Sequence, residues 1–123
     1  MSNKRLEKLQ ELAAMVRERE MAELARLTHA KQRLQAEHAR VGEMAKAARL
    51  EGQESLMLAQ SAETFGAWSR GRQAQIDGLI AEMQVPIDAQ KARTAKAVGR
   101  HENLGKISQK LKAEEEKKAA NKI

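Results

Sequence analysis

Apolar residues recur along the first part of the chain at alternating strides of three and four. From Leu6 the positions are Leu6, Leu9, Ala13, Val16, Glu20, Glu23, Leu27, Ala30, Leu34, Glu37, Val41, Met44, Ala48 and Glu51. Ten of these fourteen are apolar, and all four exceptions are glutamate. That is the heptad pattern of a coiled-coil seam. The stretch has no proline and no glycine before Gly42, and Ala, Leu, Glu, Arg and Lys dominate it, all good helix formers. The pattern predicts a first helix over about 3–51, with Ser2 or Asn3 able to cap its start. Leu12 and Leu24 flank the seam, and Met15 and Met21 fall away from it. They are either scattered surface apolars, which are normal, or a second face for a partner.

A second apolar face organises the rest. Ile76, Leu79, Met83, Ile87, Val98, Leu104, Ile107 and Leu111 lie mostly at helical spacing. With Phe65, Trp68, Arg72, Gln90, Thr94 and His101 they define an arm over about 65–118. Strides of three, four and four dominate, so little left-handed supercoil is expected along this arm. Pro86, the only proline, removes one backbone hydrogen bond. The apolar face runs through it, so a kink is expected rather than a break. Residues 113–123 are charged, low-complexity sequence, expected as a frayed helix or disorder.

Between the arms lies a tip over about 52–64. Gly52 can end the first helix in a left-handed cap, and Ser55, Ser61 and Thr64 can each start the second. Phe65 and Trp68 follow. They either close the end of the seam against Leu50 and Met44, the preferred reading, or form an aromatic recognition patch. One antiparallel register pairs Leu6 with Leu111, Ala13 with Leu104, Leu34 with Met83 and Val41 with Ile76. It centres the turn near residues 58 and 59. It also brings Glu20 and Glu23 to Arg93, Lys96 and Arg100 as exposed, register-fixing ion pairs worth ~0 to 1 kcal/mol each. The expected fold is all-α, an antiparallel two-helix coiled-coil hairpin in one domain spanning 1–123.

Composition agrees. The chain has 33% charged residues, one Phe, one Trp and no Tyr, so aromatic side chains cannot fill a globular core. A two-helix seam buries little surface, so marginal stability and a partner are expected. The absence of cysteine rules out a disulfide framework and fits a reducing compartment. No apolar run exceeds the five residues Leu12 to Val16, far below the ~20 of a membrane span. The N-terminus lacks the apolar core of a secretory signal. A cytoplasmic protein without membrane insertion is therefore expected.

The charge of +6 is uneven. Residues 51–70 hold one Arg against three Glu, whereas each flanking arm carries a net +4. In a hairpin both basic arms meet at the end that carries the termini. Residues 91–112 are the most basic block, with seven cations against Glu102 alone.

Catalytic signatures are missing. The glycines are scattered and form no phosphate-binding loop. His29 and His38 lie nine residues apart, about half a turn out of phase, and neither they nor His101 have ligand spacing; all three read as solvent-exposed. A hairpin encloses no pocket in which to shift a pKa or exclude water. The expectation is no enzyme, no cofactor and no metal.

The second arm resembles the FliJ/YscO family, the small coiled-coil stalk proteins of flagellar and other type III secretion export machines. The residues that carry the resemblance are Gln75-Ile76, Leu79-Ile80, Met83, Ile87, Gln90, Leu104 and Lys106-Ile107. Length, basic charge and the two-arm plan also fit; Pro86 departs from a typical uninterrupted arm, and Trp68 is no mark of the family. The resemblance implies a non-catalytic stalk. One end would insert into a hexameric export ATPase, peripheral to a membrane-embedded machine, and a side face would touch the export gate or substrate chaperones. The partner-binding candidates are Arg5, Lys8, Leu12 and Met15 on the first arm and Lys106, Lys110 and Lys112 on the second, facing each other as one plug. Phe65 and Trp68 are the candidate tip patch. Two other readings stand beside it: a general cytoplasmic coiled-coil scaffold or chaperone, and a basic RNA- or ribosome-binding hairpin. The last is disfavoured because the only base-stacking residues sit at the acidic tip, away from the basic arms.

Overall fold

A computed structural model describes residues 2–122. The fold is all-α, with α1 over Ser2–Glu51 and α2 over Leu56–Asn121, and no strand among the described residues. The side chain of Ser2, one of the two expected caps, lies outside what is described. Asn3 sits within α1 and its amide donates to Glu115 at 3.4 Å. Contacts divide the chain into two compact units. A terminal unit pairs Met1–Ala25 with Asp88–Ile123, and a turn unit spans Arg26–Ile87. In each, segments of α1 and α2 pack antiparallel.

The connection is shorter than the expected tip. It spans only 52–55, and α2 begins at Leu56 rather than near Phe65. Ser55 supplies the cap: its Oγ accepts from the Leu58 N–H at 3.2 Å and its carbonyl from Ala59 at 2.9 Å, the standard use of an N-cap hydroxyl. Gly52 plays a different part from the one expected. No glycine among the described residues has positive φ, so Gly52 is not a left-handed cap. A Cβ there would lie 3.1 Å from the Ala59 Cα and 3.2 Å from the Ala62 Cβ. Glycine is needed because the two arms approach too closely for a side chain.

One column of the α1 seam falls where the heptads put it: positions 6, 13, 20, 27, 34, 41 and 48 are all covered. The second column is covered only at Glu23, Ala30 and Glu37. Leu9, Val16, Met44 and Glu51 are exposed, and Gln10, Arg17, Leu24, Lys31, His38, Ala45 and Gly52 are covered beside them. On α2 the seam near the turn runs through Ala62, Ser69 and Ile76 instead of Phe65 and Trp68. Farther on it follows Ile87, Gln90, Thr94 and Ala97. α2 continues unbroken through Pro86, which sits on the exposed side. It also continues to Asn121, because Ala, Glu and Lys fill its last turns and favour helix without a seam partner.

The seam carries polar layers. Glu20 replaces an apolar residue on α1, and Gln90 and Thr94 do so on α2. The Gln90 amide donates to both the carbonyl and the carboxylate of Glu20, and the Thr94 hydroxyl donates to the same carbonyl at 3.1 Å. In the turn unit Glu37 accepts two bonds from the Arg72 guanidinium, at 2.9 and 2.7 Å. The Lys31 ammonium donates to Gln84 at 2.8 Å, and Ser69 donates to the Val41 carbonyl at 3.5 Å. Glu20 does meet Arg93, at 3.6 Å, but its side chain is only 14% exposed. It is a seam residue rather than half of a surface pair.

Near the turn these contacts shift the register, whereas in the terminal unit Asn3 with Glu115 and Arg17 with His101 stay within one residue of the expected alignment. Val41 meets Ser69 rather than Ile76, a displacement of seven residues on α2. The short turn requires this, because Gly52 is already packed against Ala59. Seven residues are ~10 Å along a helix, too far for one disulfide to bridge both choices. The chain has no cysteine of its own. A Val41→Cys, Ser69→Cys double variant is expected to oxidise readily within one chain, and Val41→Cys with Ile76→Cys is not. The reverse result on a non-reducing gel defeats the register. The Glu20 layer predicts that Glu20→Ala costs ~1 to 3 kcal/mol in urea unfolding, because Gln90 loses its charged acceptor. Lys96→Ala, an exposed control, is expected to stay within ~0.5 kcal/mol.

Candidate functional site

In the terminal unit the seam choice leaves an apolar strip outside. Leu9 is 51% exposed, Leu12 58% and Val16 45%. Arg5, Leu9, Leu12, Val16 and Arg19 recur at strides of four and three, so they share one flank of α1, with Lys8 at its edge. The acidic residues of this segment, Glu7, Glu11 and Glu18, fall on the other side of the helix. Two clefts fix the sides. Arg19, Glu20, Glu23, Gln90 and Arg93 line one. Asn3, Leu6, Glu7, Gln10, Ser108 and Lys112 line the other.

Arg93 therefore places the matching flank of α2 beside this strip. Heptad spacing from Arg93 leads to Arg100 and Ile107, and Ile107 is 48% exposed. Lys96 and Lys110 border the same flank. Its carboxylates are Glu20 and Glu23 in the cleft and Glu114 near the end. The result is a face of half-exposed aliphatic side chains framed by guanidinium and ammonium groups. Such a surface can bury apolar area against a partner while its cations orient that partner.

The expected plug is only partly assembled. Arg5, Lys8, Leu12 and Lys110 lie on this face. Met15 and Lys106 point to the outer sides of their helices, and Lys112 lines the opposite cleft. Leu9, Val16, Arg19, Arg93, Arg100 and Ile107 complete the face. Leu9, Val16 and Ile107 escape sequence reasoning because their spacing assigns them to the seam.

In the turn unit, Phe65 and Trp68 do not close the seam. Ala62 and Ser69 occupy it. The rings lie 5.5 Å apart, tilted by 38°, and Trp68 is largely exposed, as are Met44 and Leu50. Phe65 and Trp68, with Met57, Gln60, Ser61 and Thr64, line a shallow concavity of about 500 Å³ along one side of α2.

The histidines also differ from expectation. His29 is exposed, but His38 and His101 are half-buried. His38 Nε2 lies 3.3 Å from Asp77, and His101 Nδ1 accepts from Arg17 at 3.3 Å. Among the described residues no group of three or more His, Asp or Glu side chains could hold a metal ion. No helix is long and apolar enough to cross a membrane. The chain matches no known protein family, no curated protein and no solved structure.

The exposure of the strip has a direct check. Leu12→Ser is expected to change unfolding free energy by less than ~0.5 kcal/mol. Ile76→Ala, at a fully buried seam position, is expected to cost ~2 to 5 kcal/mol. Equal losses in a urea titration contradict the assignment of the face.

Proposed function

We propose that this chain is a non-enzymatic coiled-coil stalk or adaptor of a flagellar or type III protein export apparatus. In this reading its terminal unit docks on an acidic surface of the export ATPase ring. The observation that carries the docking is the face built from Leu9, Leu12, Val16 and Ile107 with Arg5, Lys8, Arg19 and Arg100, its own acids gathered mainly elsewhere. The resemblance of the second arm to the FliJ/YscO family supplies the export machine. Contacts to the export gate or to chaperones, and a cytoplasmic position at the machine's inner side, belong to the same proposal.

The physical division of labour is simple. Aliphatic contact supplies most of the binding energy, and the cations raise the encounter rate and set orientation. A basic RNA-binding hairpin is the competing reading. It draws on the same cations but gives no role to the aliphatic strip, because phosphate contacts are purely electrostatic.

The test is a pull-down of the purified export ATPase by the full chain. Reversal of Arg5, Lys8 and Arg19 to Glu is expected to weaken capture at least tenfold, and Leu9→Ser with Leu12→Ser to do the same. Lys106→Glu, on the outer side of α2, is expected to leave capture unchanged. Undiminished capture by both multiple variants removes this face from the proposal. Failure of the unmodified chain to bind the ATPase, with salt-sensitive retention of RNA, replaces the export reading by the nucleic-acid one.

A further inference from the structure

One flank of the turn unit carries an apolar strip of its own. On α2, heptad spacing joins Leu58, Phe65, Arg72 and Leu79, with Trp68 beside them. The two bonds from Arg72 to Glu37 identify the α1 side of the same flank. Heptad spacing from Glu37 leads to Met44 and Glu51, and Arg33 and Arg40 share that side of the helix. Met44, Leu58, Trp68 and Leu79 are 40 to 56% exposed. Arg72, in the middle of the strip, is neutralised by Glu37. A contiguous exposed apolar strip of this kind marks a contact with another macromolecule.

The strip is symmetric about Trp68. The Ser69 hydroxyl on the Val41 carbonyl sets the two arms level, so Trp68 stands level with about Gly42. On α1, Arg33 lies nine residues before that level and Glu51 nine residues after it, and both are exposed. On α2, Leu58 lies ten residues before Trp68 and Leu79 eleven after it. A two-fold contact requires a surface that complements itself. With the axis crossing the strip at Trp68, Leu58 meets the second copy's Leu79 and Glu51 meets the second copy's Arg33. The two indoles meet at the axis. Arg40 falls beside the second copy's Trp68, where a guanidinium is attracted to the face of the ring.

We infer that this flank is the interface of an antiparallel, two-fold dimer of the chain. The opposite signs at its two ends suit a reversed copy of itself better than a uniformly acidic or basic partner. From Leu58 to Leu79 the strip is ~30 Å long, and two helices side by side are ~20 Å across. That gives roughly 600 Å² per copy, at the low end of specific interfaces, so the dimer is weak and forms on concentrating. The surface lies within the turn unit and does not depend on the docking of the terminal face.

Trp68 is the only tryptophan, so its fluorescence reads the interface directly. On concentrating the full chain from the micromolar to the millimolar range, its emission is expected to shift to the blue as the sedimentation mass rises from monomer to dimer. Trp68→Ser is expected to weaken dimerisation about tenfold and to leave the melting temperature of the dilute monomer unchanged, because the ring lies off the seam. Arg33→Glu and Glu51→Arg are each expected to weaken it about tenfold, since the two-fold axis turns either change into two like-charge contacts. The double variant, which swaps the charges, is expected to restore it. Any of three outcomes overturns the inference: a monomer mass at the highest concentration, a charge swap that associates no better than the single reversals, or dimerisation that survives Trp68→Ser and is lost with Leu12→Ser.

Discussion

The two helices are held in one alignment by the polar layers in their seam. Aliphatic contact is non-directional, and a column that repeats Leu, Ala and Val every seven residues tolerates a slip of one heptad. The Glu20 layer does not. A slip of seven residues on α2 would set Glu20 against Ala97 or Met83 instead of Gln90, leaving a carboxylate that is 14% exposed without its amide partner. An unpaired buried charge is far costlier than a lost surface contact. Glu37 and Arg72 impose the same condition in the turn unit, with both partners about one-third exposed. Single polar residues in coiled-coil seams are known to specify register at some expense of stability. Here polar residues on one arm meet polar residues on the other.

Much of this was legible. The heptad column from Leu6 to Ala48 and the two-helix plan follow directly from strides of three and four, and Gly52 marks the end of α1. The four glutamates stood out as the exceptions, and two of them prove to be the layer residues. The second column departs from the expectation at Leu9, Val16 and Met44, which apolar spacing favours. The structure covers Gln10, Arg17, Lys31 and His38 instead. Long polar side chains can lay their stems over a seam while the head group finds a partner, as Lys31 does with Gln84 and Arg17 with His101. A rule that sends apolar residues inward cannot see this. The register error has the same origin. It paired the bulkiest apolar residues, whereas near the turn Gly52 is fixed against Ala59; in the terminal unit Arg17 with His101 keeps close to the expected pairing.

The narrow seam near the turn accounts for the half-buried Phe65 and the exposed Trp68. Once Gly52, Ala59 and Ala62 bring the helices together, no width remains for Phe65 or Trp68 between them, and both lie on the flank of α2. The same closeness thins the core. Among the described residues the buried apolar ones are Val41, Ala62, Ile76, Ile87 and Ala97, two of them alanine. Burial at ~25 cal/mol per Å² therefore yields little for so much ordered backbone. Exposed aliphatic and aromatic residues are what such a seam must leave outside, and they are also what a partner can cover.

Leu9 and Val16 show how the two requirements meet. Each lies one position before a covered polar residue, Gln10 and Arg17. A modest rotation of α1 about its axis would bury both and release the buried Arg17 Nε, which has no hydrogen-bond partner. Glu20, on the same helix, opposes such a rotation. Rotation would carry its carbonyl and carboxylate away from Gln90 and Thr94, and two buried polar side chains on α2 would lose their acceptors. The interaction that fixes register thus also fixes rotation. It holds Leu9, Leu12 and Val16 outward beside Arg5 and Arg19, so the exposed face of the terminal unit follows from the polar layer in its seam.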